Sequence, residues 1–127
     1  MPRMSTARKI LERKARKRSA GYPIATVAYY GPTDKFATKV AVGILDKQEK
    51  IIALERWFST TRDVRRDDDI CQQVVAFIEG HRVHRVAMVD KIIGCPHEEG
   101  VDYPEGQNCP QCPFWAGRDR WTGQRLQ

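Results

Sequence analysis

The chain has 127 residues, of which 41% are hydrophobic and 30% are charged. This length predicts a single domain with a modest core, and no apolar run approaches the roughly 20 residues that span a bilayer. The net charge of +6 is not spread evenly, because residues 1–20 hold eight basic side chains and one acid, a net charge of +7. The remainder of the chain is therefore close to neutral.

The basic residues form an N-terminal arm, residues 1–21, which is predicted to be helical or disordered. Thr6 can cap a helix that runs to about Ser19, and Gly21 and Pro23 would stop it. The apolar side of this helix is thin, so we expect the helix to stay frayed until it meets a partner. Contacts to a polyanion are predicted for seven of its side chains: Arg8, Lys9, Arg13, Lys14, Arg16, Lys17 and Arg18.

The N-terminal residues also bear on the location of the protein. A secretory signal would need an uninterrupted apolar core of about 7–15 residues, which the arm does not precede. A mitochondrial presequence is an alternative, because the arm is basic and poor in acids, but the dense Lys14–Arg18 cluster fits a polyanion-binding arm better. We expect a cytoplasmic protein, in which four cysteines are thiols or metal ligands rather than disulfides.

Residues 22–93 are predicted to form the core domain. Three strand candidates, Ile24–Tyr30, Phe36–Leu45 and Ile51–Phe58, are separated by short stretches with turn composition, which favours an antiparallel meander. Both faces of the second strand are largely apolar, so this strand is expected to be buried on both sides.

The strongest helix signal covers Asp67–Glu79. Its apolar residues recur at i, i+4, i+7 and i+8 and form one stripe. Aspartates in the first turn complement the helix dipole, and Gly80 is suited to the position after the end. A fourth strand, Val83–Val89, follows. Cys71 lies beside the apolar stripe of the Asp67–Glu79 helix and is expected to be a buried thiol.

The loop-rich C-terminal segment, residues 94–127, contains a metal-binding pattern. A Cys-Pro-His turn and a Cys-Pro-Gln-Cys turn supply four ligands: Cys95, His97, Cys109 and Cys112. Zn²⁺ accepts three thiolates and one imidazole as a closed tetrahedron. The segment has few aliphatic side chains, so a structural zinc ion would supply stability that packing cannot. The alternative is a disulfide or free thiols.

Together these elements predict an α+β fold. A small, mostly antiparallel sheet, made of a three-strand meander plus one further strand, would pack on one main helix. A basic N-terminal helix or arm would precede it, and a zinc-closed loop would follow it.

Two known metal motifs are similar to the cysteine and histidine pattern. Cys-Pro-His followed by Cys-Pro-x-Cys resembles the ligand motif of Rieske proteins, which implies an iron–sulfur cluster in place of zinc. This chain has Cys112 where that motif has histidine. His-Glu-Glu followed by Cys-x-x-Cys is similar to zinc-dependent deaminases, which implies Glu99 as a proton shuttle. Here Cys95 would fill the coordination position that a catalytic water needs, so a closed structural site is favoured.

The predicted succession of three strands, a helix and a fourth strand resembles the opening of the ribonuclease H-like fold. This resemblance implies a Mg²⁺-dependent nuclease, whose catalysis needs converging carboxylates. Asp34, Glu55 and Asp90 are the nearest candidates, but the first strand carries no acid and no spacing makes these three converge. A likeness of topology alone is a weak basis for function.

Aromatic and arginine side chains alternate beyond the metal pattern. Phe114 and Trp115 are expected to pack over the metal turn, whereas Arg118, Arg120 and Trp121 can stack on unpaired bases and meet phosphates. With the basic arm, they predict that the protein binds nucleic acid or a nucleoprotein such as the ribosome. One alternative is a zinc-stabilised adaptor for protein–protein interaction, and a metal-dependent enzyme is the third.

Overall fold

The computed structural model describes residues 6–17 and 21–117. Its elements, in chain order, are α1 (Thr6–Arg16), β1 (Ile24–Tyr30), β2 (Lys39–Leu45), β3 (Ile51–Phe58), α2 (Asp68–Gly80), β4 (Arg85–Ile92) and a short 3₁₀ turn (Pro113–Trp115). The α+β class is as predicted. Neither described helix has the length and apolar character needed to cross a bilayer.

The four strands form one sheet in the order β3-β2-β1-β4. β1 and β2 are antiparallel, as are β2 and β3, which confirms the predicted meander. β4 lies parallel to β1 on the other side. A parallel pair needs a long connection, and α2 lies within it.

β2 begins at Lys39 rather than at the predicted Phe36. Ala37, two residues before the strand, bonds to a loop instead of a neighbouring strand, because its amide donates to the Asp63 carboxylate at 3.0 Å. The Ala37 carbonyl in turn accepts from the Val64 amide at 2.9 Å. The apolar run in the sequence therefore extends beyond the strand that it predicts.

β4 is shifted along the chain relative to the predicted Val83–Val89. It starts at Arg85, which pairs with the first residue of β1, and it ends at Ile92. The pairing continues through a register shift between Val27 and Tyr29 of β1. The polar residues before Ile92 hid this continuation in the sequence.

The two faces of the sheet have different surroundings. One face is buried under the two helices, and its strand residues include Ala25, Val27, Tyr29, Val40, Val42, Ile44 and Val86. Neither helix covers the opposite face, which we call the open face. Side chains on the open face include Thr26, Ala28, Tyr30, Lys39, Ala41, Leu54, Arg56 and Phe58.

α1 is packed on the core rather than frayed, so that expectation is wrong. Ala7 and Leu11 are 6% and 1% exposed, and the helix contacts both α2 and β4. On the same side of α1, the Arg8 guanidinium donates to the Tyr29 hydroxyl at 2.5 Å and pairs with Asp90. These polar contacts add to the few apolar contacts that hold the helix on the core. Because Arg8 is only 5% exposed, it does not offer the predicted contact to a polyanion.

α2 lies where the sequence predicts it, but it is shifted by one residue: Asp67 precedes the helix, and Gly80, predicted to follow the end, is its last residue. The Asp67 side chain caps the helix by accepting from the Ile70 amide at 3.1 Å. His81 follows the last residue, and its Nδ1 lies 2.9 Å from the Phe77 carbonyl oxygen. Cys71 is a buried thiol on this helix, as expected.

Asp63 is a hub of the loop between β3 and α2, and it makes the stability of the protein depend on pH. Burial would raise the pKa of Asp63, but hydrogen bonds from the Arg65 side chain and the Ala37 amide outweigh burial and lower this pKa. Ionised Asp63 therefore contributes stability above its unfolded-state pKa of about 3.9. This contribution is lost as the pH falls through the lower folded-state pKa.

We expect Asp63→Asn to lower the free energy of unfolding by about 2 kcal/mol at pH 7, because charge-assisted hydrogen bonds are lost. The variant should also lose less stability than the parent protein on acidification below about pH 4. Urea unfolding at neutral and acidic pH measures both effects. Parallel pH profiles for the two proteins would contradict this account.

Candidate metal centre

The metal segment, which we define as residues 94–117, begins where β1 and β4 end side by side. The Ile93 amide donates to the Tyr29 carbonyl at 3.0 Å, and the Gly31 amide donates to the Gly94 carbonyl at 2.9 Å. These bonds extend the contact between the two chain segments past the strands. They place Cys95 at the end of the sheet.

All four predicted ligands converge at this end of the sheet. Their ligand atoms lie within 4.8 Å of one another. The Nδ1 atom of His97 lies 3.4 Å from Sγ of Cys109, 3.5 Å from Sγ of Cys112 and 4.0 Å from Sγ of Cys95. Cys109 and Cys112 are buried, and the other two are half-buried. The cluster can therefore bind a metal ion.

The surroundings of Cys95 and Cys112 raise the pKa of their thiols and so favour the protonated form. Burial, followed by the neighbouring Cys95 and Cys109 sulfurs, raises the pKa of the Cys112 thiol to about 12. Burial also raises the pKa of the Cys95 thiol. A bound cation reverses this balance, because the thiolate is the ligand and the positive charge stabilises it.

Short-range hydrogen bonds shape the two ligand-bearing turns. The Cys112 amide donates to the Cys109 carbonyl at 3.4 Å, and the Trp115 amide donates to the Cys112 carbonyl at 3.2 Å. This tight turn brings two sulfurs to the same side. In the first turn, the Cys95 thiol donates to the His97 carbonyl at 3.5 Å.

The loop between the turns is braced by its own acids. The Glu98 amide donates to the Asp102 carboxylate at 2.7 Å, and the Gly106 amide donates to the Glu99 carboxylate at 2.7 Å. Glu99 thus holds the loop closed, and Cys95 is the fourth member of the cluster. This arrangement differs from the three-ligand site that the likeness to deaminases implied.

Lys39 fastens the metal segment to the sheet, a role that was not predicted. Its side chain is 5% exposed, and its Nζ atom donates to the Pro96 carbonyl at 3.1 Å and to the Glu98 carboxylate at 3.3 Å. Glu98 also accepts from Nε of Arg56 at 2.6 Å. Burial would raise the pKa of Glu98, but Lys39 and Arg56 outweigh it and lower this pKa. A lysine within an apolar strand was the available signal.

Trp115 forms the second attachment of the metal segment. Its indole Nε1 donates to the Gly31 carbonyl at 2.8 Å. The Phe114 ring meets the Trp115 ring edge-on, with 5.0 Å between the ring centres. Trp115 was expected to pack over the metal turn, and the structure shows that its indole ties this turn to the end of β1.

The structure separates the other candidate residues. Among residues 6–17 and 21–117, the cysteine–histidine cluster is the only group of three or more potential metal ligands. Asp34, Glu55 and Asp90 do not form such a group, and Asp90 pairs with Arg8 instead.

The residues predicted to contact a nucleic acid fall into four sets, the first of which is the buried Arg8. Lys9, Arg13, Arg16 and Lys17 are exposed on or just after α1, whereas Lys14 is half-buried and pairs with Glu79 at 3.4 Å. Arg18, Arg118, Arg120 and Trp121 lie outside the described residues.

Comparison with known proteins assigns no family to the chain, because no family model, curated protein or solved structure matches it.

Proposed function

We propose that this is a small zinc-binding protein that binds nucleic acid, or a nucleoprotein, through the basic surface of α1. One observation carries the proposal: four exposed cations follow one side of the docked helix, namely Lys9, Arg13, Arg16 and Lys17. Positions i, i+4, i+7 and i+8 lie on one side of a helix. At 1.5 Å per residue they extend over about 12 Å, which is long enough to meet several phosphates.

The nearest acid does not cancel this basic line. Glu12 lies within 4.0 Å of the Arg8 guanidinium, which is turned into the core. Because Ala7, Arg8 and Leu11 anchor the helix, the line is already ordered before a partner binds, and less entropy is lost on binding. Arg18, Arg118, Arg120 and Trp121 remain proposed as further contacts.

The proposal that the metal is zinc rests on the donor set and its spacing. Tetrahedral bonds of about 2.3 Å to sulfur and 2.0–2.1 Å to nitrogen separate the sulfur and nitrogen ligands by about 3.5 Å. The distances from His97 Nδ1, 3.4–4.0 Å, bracket this value. A [2Fe–2S] cluster would divide four ligands between two irons, whereas one nitrogen here lies close to all three sulfurs. Four donors complete the coordination of one ion, so its role is structural.

Removing the charges of the basic line should weaken nucleic-acid binding and make it less dependent on salt. We expect the quadruple variant Lys9→Gln, Arg13→Gln, Arg16→Gln and Lys17→Gln to lose at least about 10-fold in affinity at low salt. The slope of log affinity against log salt should fall by about 3, because each lost phosphate contact releases about one counterion fewer. Filter binding with RNA and DNA at several salt concentrations measures both.

Substitution is the right test because deleting residues 1–20 would strip Leu11 and Arg8 from the core. A control variant removes the same charge from exposed bases elsewhere: Lys47→Gln, Lys50→Gln, Arg62→Gln and Arg66→Gln. Equal losses in the two variants would mean that only the total charge matters, and the role of α1 would be refuted. If the parent protein binds neither nucleic acid at low salt, the protein–protein adaptor is favoured instead.

A further inference from the structure

A cavity of about 470 Å³ opens between the end of β3 and the metal segment. Two strongly exposed apolar side chains line it, Phe58 at 62% and Val101 at 75%. The volume lies within the range of about 300–1,000 Å³ that is usual for small-ligand sites. Exposed aromatic and aliphatic groups in the lining of one cavity are typical of a site that is covered when a ligand binds.

One polar group in the same cavity lacks a complete set of partners. Arg56 is held through its Nε atom by Glu98, and no hydrogen bond within the described residues uses its terminal nitrogens. Its side chain is 39% exposed, so these nitrogens can be reached from the cavity. A ligand with a polar edge would satisfy them.

The charges around the cavity select a neutral ligand. Two cations, Lys39 and Arg56, face two acids, Glu98 and Asp102. Glu98 already pairs with both cations, so the cavity offers no excess of positive charge to a phosphate. An aliphatic side chain of a protein partner would cover Phe58 but would leave the terminal nitrogens of Arg56 unpaired, which is unfavourable.

We propose that this cavity binds an unpaired base of a single-stranded nucleic acid, stacked on the Phe58 ring with its polar edge bonded to Arg56. A base combines an aromatic face with hydrogen-bonding edges, and stacking on exposed aromatic rings is a common mode of single-strand recognition. The Lys39 ammonium lies 5.7 Å from the centre of the Phe58 ring and braces it. This inference rests on the proposed nucleic-acid binding and adds a second contact surface, on the open face.

Binding of oligouridylate and of an abasic oligonucleotide of the same length separates base contacts from phosphate contacts. Phe58→Leu keeps an apolar side chain but removes the aromatic face, so oligouridylate affinity should fall about 10-fold while abasic binding stays unchanged. Phe58→Trp should retain the affinity for oligouridylate. The quadruple variant that removes the four exposed charges of α1 should lower the affinity for both ligands by the same factor.

A further variant tests whether the effect belongs to this cavity. Ile52→Ala changes another apolar side chain of β3, which is 56% exposed and does not line the cavity, and should leave both affinities unchanged.

The outcomes distinguish this inference from the proposed function. If the parent protein binds neither oligonucleotide, both proposals fail. If it binds both ligands equally and Phe58→Leu changes nothing, only the base site is overturned, and the cavity then fits an apolar side chain of a protein partner. If Phe58→Leu lowers the affinity for both oligonucleotides equally, the base site is also overturned.

Discussion

Cys112→Ser is expected to reduce bound zinc from about one ion per chain to near zero and to open the metal segment to proteolysis. The Cys112 side chain is 2% exposed, and its sulfur lies 3.5 Å from the His97 nitrogen within the four-donor cluster. Serine supplies a neutral hydroxyl in place of a thiolate, so the closed tetrahedron cannot form. Structural zinc contributes about 10–16 kcal/mol of binding free energy in small zinc modules, which is far more than this segment can gain from packing.

The cysteine that lies outside the cluster provides a matched control. Cys71 is also 2% exposed, but its thiol lies 3.8 Å from the Val64 carbonyl and outside the cluster. We expect Cys71→Ser to keep the zinc content and the resistance of the metal segment to protease. Elemental analysis of protein purified without oxygen, together with mapping of cleavage sites in residues 98–108, gives both readings.

Two results would contradict the zinc assignment. Unchanged zinc content and unchanged protease resistance in Cys112→Ser would show that the cluster does not hold the ion. A brown parent protein that contains iron and absorbs visible light would replace zinc by an iron–sulfur cluster.

Gly31→Ala is the second change with a large expected effect, a loss of about 3 kcal/mol or more in the free energy of unfolding. An added Cβ would lie 2.0 Å from the carbonyl oxygen of Phe36 and 3.2 Å from that of Thr33. Both are backbone atoms, so a side-chain rotation cannot relieve the clash. The backbone between β1 and β2 would have to move.

The same substitution should loosen the metal segment, because Gly31 bonds to it twice. Its amide donates to Gly94 at 2.9 Å, and its carbonyl accepts from the Trp115 indole at 2.8 Å. We therefore expect faster proteolysis of the metal segment while zinc remains bound. Urea unfolding and limited proteolysis of the zinc-loaded protein measure the two effects separately.

Gly80→Ala is the control for Gly31. A Cβ at Gly80 meets nothing within 4 Å. Alanine is also the better helix former, so the variant should equal or exceed the parent in stability by up to about 1 kcal/mol. Similar losses in the two variants would show that the close approach at Gly31 is not the cause.

The local features of the fold were predictable because each depends on neighbours in the chain. Apolar runs separated by turn residues predicted three antiparallel strands, and the spacing of apolar residues predicted α2. α1 was misjudged because its side that faces the core includes Arg8. An arginine looks solvent-exposed in a sequence, and only its bonds to Tyr29 and Asp90 show that it is buried.

The metal ligands could be predicted from the sequence, but the attachment of the metal segment to the sheet could not. Cys-x-His and Cys-x-x-Cys are tight turns, so the amino-acid sequence alone identified Cys95, His97, Cys109 and Cys112, and the fold confirms that they meet. The attachment depends on Lys39 meeting Glu98, residues from distant parts of the chain that no periodicity relates. Likewise, the cavity beside Phe58 exists only because β3 lies at the edge of the sheet and the metal segment folds over the end of the open face.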